Sequence, residues 1–295
     1  MSTSAITERE IRSQPEAWAR AAEAAATGGK VLGRAGERVL VLGCGTSAFV
    51  AESIASLRER AGLGETDAGY ASEWEPTRRY DRVVVISRSG TTSEVLEALA
   101  AVPAGTVKAA VVGVAGTPVA EAADEVLVLD FADEESVVQT RFPTSVLVLA
   151  RTAFGEDVGA AVAQATDALA AALPVDPARF SHFVFLGRSW GYGLAQEAAL
   201  KVREAAQAWS ESYPALDYRH GPVAVAGPES LVTLFGDLDT TLVDDVERTG
   251  ATVLHQTLDP LVQLVQAQRL AVELATSRGL DADAPRHLTR SVVLG

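Results

Sequence analysis

The sequence is poor in the residues that most often hold metals or cross-links: one cysteine, Cys44, and four histidines, at positions 182, 220, 255 and 287. A single thiol excludes an internal disulfide and a cysteine zinc site. The histidines show neither HExxH nor any other ligand spacing, so no metal and no cofactor is expected. Positive charge is also scarce, with 25 Lys and Arg against 39 Asp and Glu and a formal net charge of −14. Coulomb repulsion then opposes nucleic acid and anionic membrane surfaces as partners. An anionic ligand has to be held by local dipoles and a few cations. No run of about 18 apolar residues occurs, and MSTSAITEREIRSQPEAW has no apolar stretch behind a basic start. These absences predict a soluble, cytoplasmic chain with neither nucleic acid nor membrane as partner.

The chain does have apolar residues in quantity: 48% of 295, enough for one large or two medium cores. They alternate between strand and helix patterns, which favours parallel sheets with helices on both faces. The N-terminal stretch Thr7 to Thr27 reads as helical, interrupted by Pro15. Strands are expected at Arg38 to Leu42, Arg82 to Ser87, Val107 to Val112 and Glu125 to Asp130. Helices are expected at Ser47 to Ala61, Ser93 to Ala101, just after Thr117, Phe142 to Phe154, and Val158 to Leu173. The proline-bearing LPVDPARF marks a boundary, and HFVFLGR restarts the alternation.

That restart echoes an earlier segment. VLVLGCGTSAFVAESIASLRE (39–59) and FVFLGRSWGYGLAQEAALKVRE (183–204) both read as strand, Gly, short polar turn and helix. One copy in each half predicts two similar α/β domains: a helical segment 1–30, a first domain 31–156, and a second domain 157–295 that includes the C-terminal tail.

The polar residues gather where the strands end. Gly43-Cys44-Gly45-Thr46-Ser47 and Ser87-Arg88-Ser89-Gly90-Thr91-Thr92 each lead into a helix. In open parallel sheets, ligands bind beyond the carboxyl ends of the strands. A helix start attracts phosphate through unpaired N–H groups, by about 0.3–1 kcal/mol, and hydroxyl donors beside it add hydrogen bonds. Neither GxxxxGK[ST] nor GxGxxG with a ribose-binding acid is present, which points to the phosphate of a small molecule and away from a nucleotide. The competing explanation is helix capping, for which one hydroxyl per helix suffices.

CGTS (44–47), SRSGTTSE (87–94), EAALKVREAA (197–206) and YRHGPVAV (218–225) together resemble the SIS, or sugar isomerase, domain family. The likeness extends to the isomerase half of glucosamine-6-phosphate synthase and to stand-alone phosphosugar isomerases and deaminases. It implies an α/β fold of two flavodoxin-like SIS domains, a small-molecule sugar phosphate as ligand, and a homodimer with shared active sites. By the same resemblance Thr46, Ser47, Ser87, Ser89 and Thr92 hold the phosphate. Arg88 stands where the synthase has glutamine, so it either adds a cation to the phosphate site or points to solvent. Val137 and Gln139 match sugar-contact positions loosely, within a stretch 131–142 that, like 65–75, is expected to approach the sugar.

Glu197, Lys201 and Glu204 follow i, i+4, i+7 spacing and so share one helical face. Alone, that pattern suits a solvated ladder of ion pairs. The preceding strand end, GRSWGYG, brings the helix near the cleft, and the resemblance makes Glu204 the proton-transfer group and Lys201 the cation on the substrate hydroxyls. Moving a carbonyl between C1 and C2 takes a proton from one carbon to the next through an enediol or enolamine. One carboxylate can do both steps, and a neighbouring ammonium can stabilise the oxyanion. His220 before Gly-Pro reads as structural from its position. The resemblance instead has it open the sugar ring in the active site of the adjacent subunit.

Two departures bear on the reaction. No glutaminase segment with an N-terminal cysteine nucleophile precedes 1–30, so complete glutamine-dependent synthesis is not expected. Arg290 stands where the synthase tail has a Schiff-base lysine, and a guanidinium, always charged, does not form that imine. Arg290 is retained as a substrate-binding candidate. The expected function is an aldose-ketose isomerase or aminosugar-phosphate deaminase acting on a hexose or hexosamine 6-phosphate. The alternative is a non-catalytic sugar-phosphate sensor.

Overall fold

The structure, a computed structural model, describes residues 4–236 and 240–294. The N-terminal helical stretch is two helices, α1 (Ala5–Arg12) and α2 (Gln14–Gly28), parted at Ser13. Pro15 falls in the first turn of α2, where a missing N–H leaves no bond unmade. There follow β1 (Val39–Gly43), α3 (Thr46–Arg60), β2 (Thr66–Tyr70), β3 (Arg82–Ser87), α4 (Ser93–Ala101), β4 (Val107–Val112), α5 (Pro118–Glu121), β5 (Glu125–Val128), α6 (Arg141–Ala153) and α7 (Gly159–Ala170). The second half carries β6 (His182–Gly187), α8 (Gly191–Ala206), β7 (Trp209–Pro214), β8 (Ser230–Phe235), α9 (Thr240–Glu247), β9 (Thr252–His255) and α10 (Pro260–Ser277). Among the described residues no helix is long and apolar enough to cross a membrane.

The chain divides into two compact units: residues 13–162 with 289–295, and residues 1–12 with 163–288. The sequence is thus not cut once. α1 belongs with the later residues, and the tail belongs with β1–β5.

In the first unit five parallel strands lie in the order β2-β1-β3-β4-β5. Every residue of β1 and of β3 is buried, as expected of a parallel strand covered on both faces. One face packs Leu40, Leu42, Val83, Val85, Ala110 and Val112 against Val95 and Leu99 of α4. β2 was not expected as a strand. Its sequence, TDAGY, carries Asp and Gly, which are depleted in strands, and it is held as an edge strand by pairing with β1. Trp18, fully buried, donates Nε1–H to Thr144 Oγ1 at 2.8 Å and so fixes α2 on α6.

At the amino ends of these strands, the buried guanidinium of Arg82 meets Glu37 at 3.0 Å and Glu125 at 2.8 Å. Arg58, also buried, donates to the carbonyls of Arg34, Glu37 and Leu63. These charges hold loops at the end of the sheet away from the hydroxyl-rich turns.

The second unit has four parallel strands in the order β7-β6-β8-β9. Val184, Leu186, Val232 and Leu234 pack with Tyr218, Leu242 and Val246, and α8 packs on α10. Counted from each unit's first strand, the orders are 2-1-3-4-5 and 2-1-3-4. The former is the flavodoxin-like order, whose ligand crevice opens where the strand order reverses. In the first unit that point lies between β1 and β3.

Candidate functional site

The two hydroxyl-rich turns follow β1 and β3, the strands flanking that reversal. β1 ends at Gly43, where a Cβ would lie 2.4 Å from the carbonyl carbon of Ser47. Only glycine lets α3 turn this closely over the strand end, and the turn sets Thr46 and Ser47, both buried, in the first turn of α3. After β3, Ser87 Oγ accepts the N–H of Gly90 at 3.1 Å. Gly90 adopts φ +67°, and a Cβ there would meet Thr117 Oγ1 at 2.1 Å.

The helix starts answer the capping question. α3 has Gly45 at its N-cap, and α4 has Thr92, whose side chain makes no capping bond. The hydroxyls are therefore not there to cap these helices. Those of the second turn face one another across the C-terminal tail: Thr91 Oγ1 donates to Ser291 Oγ at 2.9 Å, Ser89 Oγ does so at 3.2 Å, and Thr92 Oγ1 stands at 3.4 Å.

Of the two courses expected of it, Arg88 does not take the one to solvent. It is 2% exposed, and its guanidinium donates to the carbonyl of Ser136 at 2.7 Å and to that of Arg290 at 3.0 Å. It ties the 131–140 stretch and the tail to the end of β3. Arg290 pairs with Asp133 at 2.5 Å. Glu134, buried, accepts from Thr140 Oγ1 at 2.7 Å and from the Arg141 N–H at 2.8 Å at the start of α6. Val137 and Gln139 are half-buried on the loop so braced, and Gln139 Oε1 is sheltered with no hydrogen-bond partner among the described residues. Asp133, Glu134 and Ser291 were not singled out from the sequence, and Thr91 was named only as part of the hydroxyl-rich turn. Ser291 adjoins Arg290, and its part shows only when the chain end is folded back.

In the second unit Glu197, Lys201 and Glu204 share one face of α8, and the solvated-ladder explanation fails. The side chains of Glu197 and Lys201 are 2% and 1% exposed and that of Glu204 is 19% exposed. Lys201 Nζ lies 3.3 Å from Glu197 Oε1 and 2.5 Å from Glu204 Oε2, an ammonium held between two carboxylates.

His220 is exposed at the end of a short turn, Asp217–His220. With Arg188, Ser189 and Tyr192 it lines an open cleft of about 410 Å³ at the ends of β6 and β7. Tyr192 is in the first turn of α8, and at 1.5 Å per residue Glu204 lies ~18 Å further along the axis. Within one chain His220 and Glu204 thus sit at opposite ends of the helix. Of the other histidines, His182 Nδ1 is 2.9 Å from Ser230 Oγ, a bond between neighbouring strands. Among the described residues no group of three or more His, Cys, Asp or Glu is arranged to hold a metal.

The family model described as the SIS domain matches residues 32–153, which take in β1 to α6 and both hydroxyl turns. Residues 32–153 are a SIS domain. Beyond it, the chain is 28% identical to a glutamine–fructose-6-phosphate aminotransferase [isomerizing] of Bradyrhizobium diazoefficiens, over 88% of this chain and 52% of that protein. The same-named protein of Thermus thermophilus is 29% identical, with the same coverage. The chain thus spans about half the length of these relatives. Among solved structures, glucosamine-6-phosphate deaminase from Thermotoga maritima superposes with a TM-score of 0.83 at 28% identity, covering 98% of this chain and 99% of that one. Tagatose-6-phosphate ketose/aldose isomerase from Escherichia coli shares the fold, with a TM-score of 0.78 at 20% identity, covering 98% and 96%. The SIS match is thus confined to residues 32–153, and over most of its length the chain is similar to about half of the aminotransferases and to the whole of the deaminase structure.

Proposed function

We propose that this SIS-domain protein is an aldose-ketose isomerase or aminosugar-phosphate deaminase, acting on a hexose or hexosamine 6-phosphate through an enediol or enolamine. The observation that carries the reading is the buried Lys201 ammonium between Glu197 and Glu204. Burying an ion is costly unless it is paired, and a part-exposed carboxylate beside a held ammonium is the pair that proton transfer next to a developing oxyanion calls for.

In this reading Thr46, Ser47, Ser87, Ser89 and Thr92 hold the phosphate by hydroxyl donors and helix N–H groups, which suits a chain of strongly negative net charge. Glu204, the most exposed of the three, takes the proton from one carbon of the C1–C2 pair and returns it to the other. Lys201 stabilises the developing oxyanion, and Glu197 holds Lys201 in place. Val137 and Gln139 contact the sugar, with Gln139 Oε1 an acceptor awaiting a hydroxyl, and Arg290, paired with Asp133 at the start of the same stretch, is a further substrate contact. His220 opens the ring in a neighbouring subunit of a homodimer. Its place beside the start of α8, with Glu204 near the other end of that helix, supports that assignment.

The test is NMR in heavy water with a panel of hexose and hexosamine 6-phosphates. Deuterium entering C1 or C2 reports isomerisation, and ammonium released with it reports deamination. Tight binding with no exchange across the panel would contradict an enzyme. Mixed dimers of His220→Ala and Glu204→Gln subunits regain part of the activity that each pure variant lacks. No rescue in mixed dimers confirmed by mass would contradict the shared site.

A further inference from the structure

In the second unit His220 stands alone on a turn whose other residues are pinned. It is exposed, and its side chain makes no hydrogen bond or ion pair among the described residues. The two residues before it are both fixed. Tyr218 is fully buried, its ring 5.6 Å from that of Tyr213 in the core of the unit. Arg219 reaches to α9, where its Nε donates to Asp245 Oδ2 at 2.5 Å and its Nη2 to Thr241 Oγ1 at 2.7 Å. Thr241 and Asp245 are four residues apart and so share a face of α9, while Leu242 and Val246 of the same helix are fully buried. The guanidinium is thus tied at two points to a helix that is itself keyed into the core. Directly after His220, Gly221 adopts φ +144°, a conformation that favours glycine, and turns the chain away.

Stability does not account for these bonds. The side chains of Arg219 and Asp245 are 30% and 31% exposed, and ion pairs so placed contribute little to folding. What a planar guanidinium bonded in two directions does fix is geometry. With Tyr218 and Arg219 held, the freedom left to His220 is rotation about its own side-chain bonds. We propose that Arg219 is a positioning residue: bound to Asp245 and Thr241, it holds the turn so that the imidazole of His220 is presented to the sugar from one fixed place. The inference rests on the proposed role of His220 in opening the sugar ring. Arg219 touches no substrate and acts only through its neighbour. Misplacing a reacting group by about 1 Å, through a change away from the chemistry, can cost about 10²-fold in rate.

The experiment uses the full chain and follows deuterium wash-in at C2 with glucose 6-phosphate and glucosamine 6-phosphate as probes, alongside urea unfolding. Arg219→Ala and Asp245→Asn each slow turnover by about ten- to 100-fold, with KM and the unfolding midpoint little changed. Arg219→Lys recovers part of the rate, because an ammonium reaches Asp245 but lacks the fork that also bonds Thr241. In His220→Ala, where the sugar ring opens unaided, adding Arg219→Ala slows turnover no further, since a residue that acts only through another has nothing left to act on. A wild-type rate in Arg219→Ala, an equal further loss in the His220→Ala background, or a loss that tracks a fall in the unfolding midpoint would overturn the positioning role. A wild-type rate in His220→Ala itself, or no wash-in from the wild type with either probe, would instead remove the ring-opening reading, and the proposal falls with it.

Discussion

The two strand-turn-helix copies are built on the same step and equipped differently. In the first, a Cβ on Gly43 would strike Ser47 four residues on, at 2.4 Å. In the second, a Cβ on Gly187 would strike the carbonyl of Gly191 four residues on, at 2.1 Å. Each glycine lets a helix start directly over the strand end. From that shared step, α3 opens with Thr46 and Ser47, while α8 opens with Gly191 and Tyr192 and carries its charged groups from about two to three and a half turns further along. The first copy offers neutral donors on a turn, and the second offers buried charges on a rigid helix. The comparison teaches that one repeated frame can be equipped in two ways: hydroxyls gather at a helix start, whereas a paired ammonium lies sheltered well along a helix, and the proposed function assigns binding to the first and proton transfer to the second.

The largest effect expected is on the charged face. Lys201→Met removes the cation between two carboxylates, and breaking a buried ion pair costs about 3–5 kcal/mol. Urea unfolding of the full chain measures it. A loss near zero would mean that the face is solvated after all, and the contrast between the copies would collapse.

Next come the two glycines. Gly43→Ala and Gly187→Ala should each destabilise by about 1–3 kcal/mol, the usual range for forced overpacking. Similar losses in the two variants sharpen the claim of a shared step. A harmless change at either position would break it.

The smallest effect separates the amino ends of the two sheets. In the first unit hydrogen bonds from Arg82 and Arg34 hold Glu125 below the usual carboxylate range. For Glu37, burial pushes up, but the Arg82 and Arg34 bonds prevail and the net shift is downward. A carboxylate depressed in the fold stabilises it at pH above its unfolded value, about 4.3, and that stabilisation is lost as pH falls through the lower folded value. Hydrogen exchange should therefore show β1, β3 and β5 losing protection below about pH 4. Arg82→Leu should start less protected and lose less on acidification. An unchanged acid response in the variant would remove Arg82 from this role.

Much of the fold could be read from the sequence because buried parallel strands are continuous apolar runs. VVVIS and VKAAVV became β3 and β4 at the expected residues, and SEVLEALAA became α4. β2 escaped because TDAGY owes its strand to pairing along β1 and not to its own preferences. The hydroxyl turns and the face of α8 were visible as local patterns. The position of Arg88 was not, since nothing near it in sequence reveals carbonyls of Ser136 and Arg290 waiting to accept its hydrogens. Ser291 is about 200 positions from the hydroxyls it meets, and no local spacing encodes such a meeting.

The division of labour between the copies is the central claim, and one paired measurement tests it most directly. Affinity and deuterium wash-in at C2 of a bound hexose 6-phosphate are compared in the wild type, Ser47→Ala and Glu204→Gln. Glutamine keeps the shape of Glu204 but cannot carry the proton, so wash-in should fall by about 10² to 10⁴-fold while affinity changes little. Ser47→Ala should weaken binding by about 10- to 100-fold, the loss of one charge-assisted bond, and leave exchange at saturation close to wild type. Exchange at the full rate in Glu204→Gln, or unaltered affinity in Ser47→Ala, would contradict the account.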